Sequence, residues 1–119
     1  MLKKIIFLSL TLTSNITLAG QWVTINPTDI SAVQITHSEN AAAQPEGLYI
    51  ALKNNITGDV ATYCQRKDFV VITNPKLIDR AYSGYLYAIS TQKSMKFYAN
   101  GIGQCAYNGP IATMFELTN

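Results

Sequence analysis

Few residues of this chain have the side chains and the spacing that catalysis or metal binding requires. Its one histidine, His37, has no cysteine or histidine beside it at the spacing of metal ligands. A catalytic histidine also needs a nucleophile and an orienting carboxylate, and no local motif supplies them. Gly101, Gly103 and Gly109 precede a predicted strand rather than a helix, unlike the glycines of a phosphate-binding loop. The sequence therefore predicts a protein that is not an enzyme and binds no metal or cofactor.

Tyrosine is the unusually frequent residue, with seven copies beside a single tryptophan, Trp22. Each of these rings combines a large apolar face with a hydrogen-bonding tip, which suits protein interfaces and carbohydrate surfaces. Tyr82 and Tyr85 fall on the apolar stripe of a predicted helix, and we expect them in the core. Tyr87 and Tyr98 point away from the apolar faces of their elements, so either a subunit interface or simple exposure would explain them.

The first nineteen residues predict export. Two lysines precede a short apolar run, and Thr17-Leu18-Ala19 resembles the small-residue cleavage site of a signal peptide. The run is shorter than the roughly twenty residues of a membrane-spanning helix, although an uncleaved anchor is the alternative to cleavage. We therefore expect a signal peptide over residues 1–19 and one secreted or periplasmic domain over residues 20–119, without membrane insertion.

The two cysteines, Cys64 and Cys105, belong to the predicted mature domain. They could be separate thiols, but an exported chain with an even number of cysteines usually pairs them. We therefore expect a disulfide between them.

The charges of the chain disfavour a nucleic-acid partner. Lys3 and Lys4 lie in the predicted signal peptide, so the mature domain would carry seven basic and seven acidic residues. Binding to phosphate backbones needs a clustered positive face. A formally neutral domain is not expected to have one.

The clearest secondary-structure element is a helix between Asn74 and Thr91. Its apolar residues recur with the period of a helix that buries one face. Thr73 or Asn74 can cap its start, and Pro75 suits the first helical position. Short strands are predicted on both sides, at residues 32–36, 48–53, 60–64 (with 69–73 as its end or as a separate strand), 94–99 and 111–117.

The order strand, strand, strand, helix, strand, strand predicts a mainly β fold with one helix. It is the element order of an OB-fold-like barrel, a five-stranded Greek-key barrel whose helix follows the third strand. An open α+β sheet would give the same pattern. We favour the barrel.

A set of residues spread over the predicted mature domain forms a pattern shared with one family of bacterial toxins. The set comprises Trp22, Ile30-Ser31-Ala32-Val33-Gln34-Ile35-Thr36, Tyr49, Ile50, Cys64, Leu77, Ala81, Leu86, Tyr87, Ser94-Met95-Lys96-Phe97 and the strand 111–117. With these residues the chain resembles the B-subunit family of subtilase cytotoxin and typhoid (pertussis-like) toxins. It departs from that family in having Ala51 where relatives carry a cysteine, and in lacking a further cysteine pair near the C-terminus.

The resemblance implies a secreted B subunit that forms a homopentamer, binds sialylated or related glycans on host cells and docks a separate catalytic A subunit. It also implies a glycan site, in which Ser31 hydrogen-bonds the carboxylate or glycerol region of sialic acid and Lys96 lines the same pocket. Both groups would give a carboxylate charge-assisted hydrogen bonds. Further neighbours expected in this site are Asp29, Asn55, Thr57 and Tyr98. The rival hypothesis is a free-standing periplasmic interaction or stress-related module of the same fold, without a sugar ligand.

Overall fold

The structure is a computed structural model that describes residues 20–37, 44–58, 63–99 and 104–118. The predicted signal peptide lies outside the described residues. The elements are β1 (Gln21–Ile25), a 3-10 helix (Pro27–Asp29), β2 (Ile30–Thr36), β3 (Gly47–Leu52), β4 (Phe69–Ile72), α1 (Pro75–Thr91), β5 (Met95–Ala99), β6 (Cys105–Ala106), β7 (Gly109–Pro110) and β8 (Ala112–Leu117). The prediction of a mainly β chain with one helix is confirmed.

The strands form two antiparallel three-stranded sheets and one short hairpin. One sheet has the order β1-β5-β8, the other has the order β2-β3-β4, and β6 pairs with β7. The Pro27–Asp29 turn carries the chain from the first sheet directly into the second. On the other side, a single parallel bridge between Val71 and Ile111 joins them. One bridge does not make a continuous ladder, so within the described residues the sheets are open and do not close the predicted barrel.

Four strands differ from the expectation, and two of them, β6 and β7, form a short hairpin that is not predicted. β1 is not predicted, although its five residues alternate between exposed and buried positions. The expected strand at 60–64 is absent where it is described, because Tyr63 and Cys64 lie in a turn, and residues 60–62 fall outside the described part. The third strand of the β2-β3-β4 sheet is instead β4, whose four residues are all buried. It is apolar on both faces because each face packs against a different cluster.

The helix α1 covers the main core with its smallest residues. Asn74 caps its start by accepting a hydrogen bond on Oδ1 from the backbone N–H of Lys76, at 2.9 Å. The buried positions on its core face are Ile78, Ala81, Gly84 and Ala88. This stripe of mainly small residues brings the helix close to the sheets and leaves Tyr82 to one side of it. The expectation that Tyr82 is a core residue is therefore wrong, since it is 37% exposed, whereas Tyr85 packs partly buried against the core.

Gly84 marks the closest approach between α1 and the sheet that contains β8. A Cβ atom at this position would overlap the ring of Phe115. That ring cannot easily move away, because it packs against Phe97, with the ring centroids 5.2 Å apart. Phe97 is itself fully buried. The absence of a side chain at Gly84 therefore sets the distance between the helix and the core.

Overpacking a core usually costs about 1–3 kcal/mol, so the Gly84→Ala variant should be less stable than the wild type, by up to about 2 kcal/mol once helix propensity is counted. The gain in helix propensity from glycine to alanine, about 1 kcal/mol, opposes this loss. Ser83→Ala is the matched control, because Ser83 is the exposed neighbour on the same helix and should tolerate alanine. Urea denaturation of the three proteins measures the difference. Equal stability of the Gly84→Ala and Ser83→Ala variants would contradict the close approach.

A second, smaller cluster lies on the far side of β3 and β4 and is fastened by a disulfide. Cys64 and Cys105 are bonded, with their Cα atoms 5.8 Å apart, so the predicted disulfide is confirmed. The bond attaches the β6–β7 hairpin to the segment before β4. There the ring of Tyr107 lies 6.3 Å from that of Phe69, and Ala106 is buried in the same cluster. The hairpin is too short to be stable alone, so the bond and these contacts hold it in place.

Replacing both Cys64 and Cys105 by alanine should lower the free energy of unfolding by up to about 4 kcal/mol, on the chain-entropy estimate for a loop of this length. Near-ultraviolet circular dichroism should change as well, because Tyr107 loses its fixed position against Phe69. Wild-type protein in reductant is the control and should match the double variant. An unchanged denaturation midpoint in both samples would show that the hairpin is held without the bond.

Candidate functional site

An open cavity of about 230 Å³ lies between β1 and the segment 54–57. We call it the Trp22 cavity, after the one aromatic residue in its lining. The polar residues that line it are Gln21, Thr24, Asp29, Asn54, Asn55 and Thr57. Together with Trp22 and the apolar residues Val23, Ile25, Leu52 and Ile56, they offer amide, hydroxyl and carboxylate groups beside apolar surface. This combination suits a small ligand with both an apolar face and hydroxyl groups.

All five residues of β1 line this cavity, so it runs along the free edge of that strand. Val23 and Ile25 are buried in the core, so Trp22 and Thr24 lie on the outward face of the strand. Trp22 pairs across the sheet with Tyr98, and the two rings meet edge to face with centroids 5.4 Å apart. This contact holds the indole in position while 43% of Trp22 stays exposed. An exposed tryptophan that is fixed in this way is a ready surface for a ligand.

The turn between the two sheets places Asp29 in the cavity. The backbone N–H of Asp29 donates to the carbonyl oxygen of Asn26 at 2.9 Å, and its own carbonyl oxygen accepts from the N–H of Lys53 at 2.7 Å. Ser94 adds a hydrogen bond from its hydroxyl to Oδ1 of Asn26. The turn is therefore tied to β5 and to the end of β3. Among the described residues, no hydrogen bond or ion pair engages the carboxylate of Asp29.

The segment 54–57 forms the opposite wall and is tied down at two points. Ile56 is buried, and its N–H donates to the carbonyl oxygen of Lys67 at 2.7 Å. Nε2 of Gln21 donates to the carbonyl oxygen of Thr57 at 2.9 Å, which links this wall to β1. Gly58 follows with a φ of 96°, a conformation that glycine adopts without strain. The cavity is therefore built from fixed backbone.

The structure brings three of the expected glycan-site residues, Asp29, Asn55 and Thr57, together in the lining of the Trp22 cavity. Tyr98 does not line the cavity, but its ring contacts that of Trp22. Lys96 is one row further along the same outward face, paired with Thr24 on one side and Glu116 on the other. That these residues bind a glycan stays a prediction.

Ser31 is placed apart from this group. It is exposed at an irregularity in the pairing of β2 with β3, between Ile30 and Ala32, and it does not line the cavity. Among the described residues, no hydrogen bond joins Ser31 to Lys96. Sequence reasoning did not assign Trp22, Gln21 or Asn54 to the site. The alternation of Val23 and Ile25 with Trp22 and Thr24 in the sequence was the signal that could have indicated an outward-facing Trp22.

A second cavity, of about 110 Å³, opens beside the disulfide-linked hairpin. The guanidinium of Arg66 lies 4.6 Å from the ring centroid of Phe69 and 5.4 Å from that of Tyr107. The same guanidinium donates to both carboxylate oxygens of Asp68, and these hydrogen bonds lower the pKa of Asp68. Burial raises the pKa of Tyr49, whose hydroxyl donates to the carbonyl oxygen of Pro45. The polar groups of Arg66, Asp68 and Tyr49 therefore have partners within the chain, and these contacts hold the hairpin in place.

His37 lies in a third cleft, of about 330 Å³, at the start of α1. Glu46 and Asp79 are the other titratable residues there. In the described part of the chain, no group of three histidine, cysteine, aspartate or glutamate side chains could hold a metal ion. None of the described helices has the length and apolar character needed to cross a membrane.

Comparison of the chain with models of protein families, with curated proteins and with solved structures finds no significant match. The resemblance to toxin B subunits therefore rests on the spacing of the residues given above.

Proposed function

We propose that this chain is an exported, non-catalytic protein that binds glycans in the Trp22 cavity. The observation that carries the proposal is the fixed, half-exposed indole of Trp22 at the edge of a cavity whose polar lining offers amides, hydroxyls and one carboxylate. A sugar ring has an apolar C–H face, which packs on an indole, and hydroxyl groups, which need hydrogen-bonding partners. The Cys64–Cys105 disulfide supports export, since such bonds persist in oxidising compartments.

We further propose that the chain acts as a toxin B subunit, a ring of five copies that attaches to host-cell glycans, of the sialylated or a related kind, and delivers a separate A subunit. The residue pattern of that family is the basis for this extension. An open cavity of this size is expected to bind weakly, and five linked sites would raise the avidity by orders of magnitude. The exposed apolar side chains of Tyr82, Leu86 and Tyr87 on α1 support a contact between copies.

Replacing Trp22 by alanine should weaken glycan binding at least about tenfold, because it removes the apolar platform of the cavity. A glycan array followed by titration of the best ligand measures the loss. Met114→Ala is the matched control. Met114 pairs with Tyr98 on the same outward face and is 46% exposed, yet it does not line the cavity.

Two results would count against glycan binding at this site. If the wild type binds no glycan on the array, the free-standing module without a sugar ligand is favoured. If the Trp22→Ala and Met114→Ala variants bind equally well, any glycan site lies elsewhere.

The mass of the mature domain in solution tests the proposed assembly. Light scattering should give five times the mass of one chain, and Leu86→Glu should reduce it to that of the monomer, because a carboxylate in an apolar interface loses its hydration. Lys76→Glu is the control, since Lys76 is an exposed residue of the same helix away from the apolar side chains. A monomeric wild type would remove the pentamer and favour the periplasmic module.

A further inference from the structure

We infer that the sugar unit held in the Trp22 cavity is uncharged, a neutral pyranose rather than a sialic acid or another carboxylated sugar. This inference rests on the proposed glycan-binding function and narrows its ligand class. It departs from the sialylated ligand that the toxin resemblance implies. The argument comes from the charges around the cavity.

The lining of the cavity contains one charged residue, the carboxylate of Asp29, and no cation in the described part of the chain. An ionised carboxylate only accepts hydrogen bonds, so Asp29 suits two adjacent sugar hydroxyls, each of which can donate to one of its oxygens. A sugar carboxylate in the same place would meet a like charge. Because Asp29 is partly buried, solvent and salt would screen this repulsion less than they do at an open surface.

The two lysines near the cavity, Lys53 and Lys96, do not contribute a positive charge to its lining. Lys53 follows β3 and touches the turn through its backbone, but it is exposed and does not line the cavity. Lys96 lies opposite Thr24, yet its other cross-strand partner is Glu116. Opposite charges in directly facing positions attract each other. Lys96 therefore faces a carboxylate across the sheet, and among the described residues no ion pair joins Lys53 or Lys96 to Asp29.

The remaining groups fit a single neutral ring. The indole of Trp22 offers an apolar face for ring C–H groups, and Asn54 and Asn55 offer amides that both donate and accept hydrogen bonds. The cavity of about 230 Å³ is smaller than the roughly 300–1,000 Å³ of pockets that enclose drug-sized ligands. It therefore suits one monosaccharide unit, with the rest of any longer glycan outside.

Matched sugars that differ only in a carboxylate test the inference. The mature wild-type protein is titrated by NMR with the methyl glycosides of glucose, galactose and mannose, with the corresponding uronic acids, and with N-acetylneuraminic acid. We expect the best neutral sugar to bind at least about tenfold more tightly than its uronic acid and than N-acetylneuraminic acid. In Asp29→Asn, which keeps the shape of the side chain, this preference should fall to about threefold or less.

Asp79→Asn is the control variant, because it removes an exposed carboxylate on α1 and should leave the preference unchanged. Thermal denaturation checks that both variants are folded, and the wild-type comparison is decisive without them. If an acidic sugar binds as tightly as its neutral partner, or more tightly, the inference is overturned while glycan binding stands. If no sugar of either kind binds at millimolar concentration, the proposed function falls with it.

Discussion

The bend at Pro27–Asp29 is the constraint on which the rest of the molecule depends. One continuous segment, residues 21–36, serves as a strand of both sheets, and the bend turns it from one to the other. Hydrogen bonds from Lys53 and within the turn fix its geometry. The same bend delivers Asp29 to the cavity that β1 lines. The fold and the cavity therefore share one structural element.

Two clusters of buried residues stabilise the fold. The main core and the smaller cluster lie on opposite faces of β4, which is why that strand is apolar throughout. The disulfide fastens the smaller cluster, and Arg66 packs against it. The guanidinium of Arg66 forms an ion pair with Asp68 and lies over two aromatic rings. In the Trp22 cavity, by contrast, the Asp29 carboxylate has no partner among the described residues. Groups with unused hydrogen-bonding capacity mark the place where a ligand can add interactions.

The sequence predicted those parts of the fold that depend on residues close together in the chain. The helix was predictable from its cap at Asn74 and its apolar period, and the disulfide from the count and context of the cysteines. The open sheets were not, because strand pairing joins distant residues and the pattern of a barrel strand equals that of a sheet strand. The candidate site could be predicted only in part, for the same reason. Asp29 and Asn55 came from a family resemblance, whereas Gln21 and Asn54 join the cavity only through contacts distant in sequence.

The central claim, that ligands bind between β1 and the segment 54–57, is tested most directly by mapping chemical shifts in isotope-labelled protein during titration with a bound sugar. The account predicts that the largest changes occur at the indole N–H of Trp22 and at the side-chain amides of Asn54 and Asn55. Small changes are expected at the backbone of Ser31 and at Tyr107. Large changes around Ser31 or the hairpin, with the Trp22 indole unaffected, would contradict it.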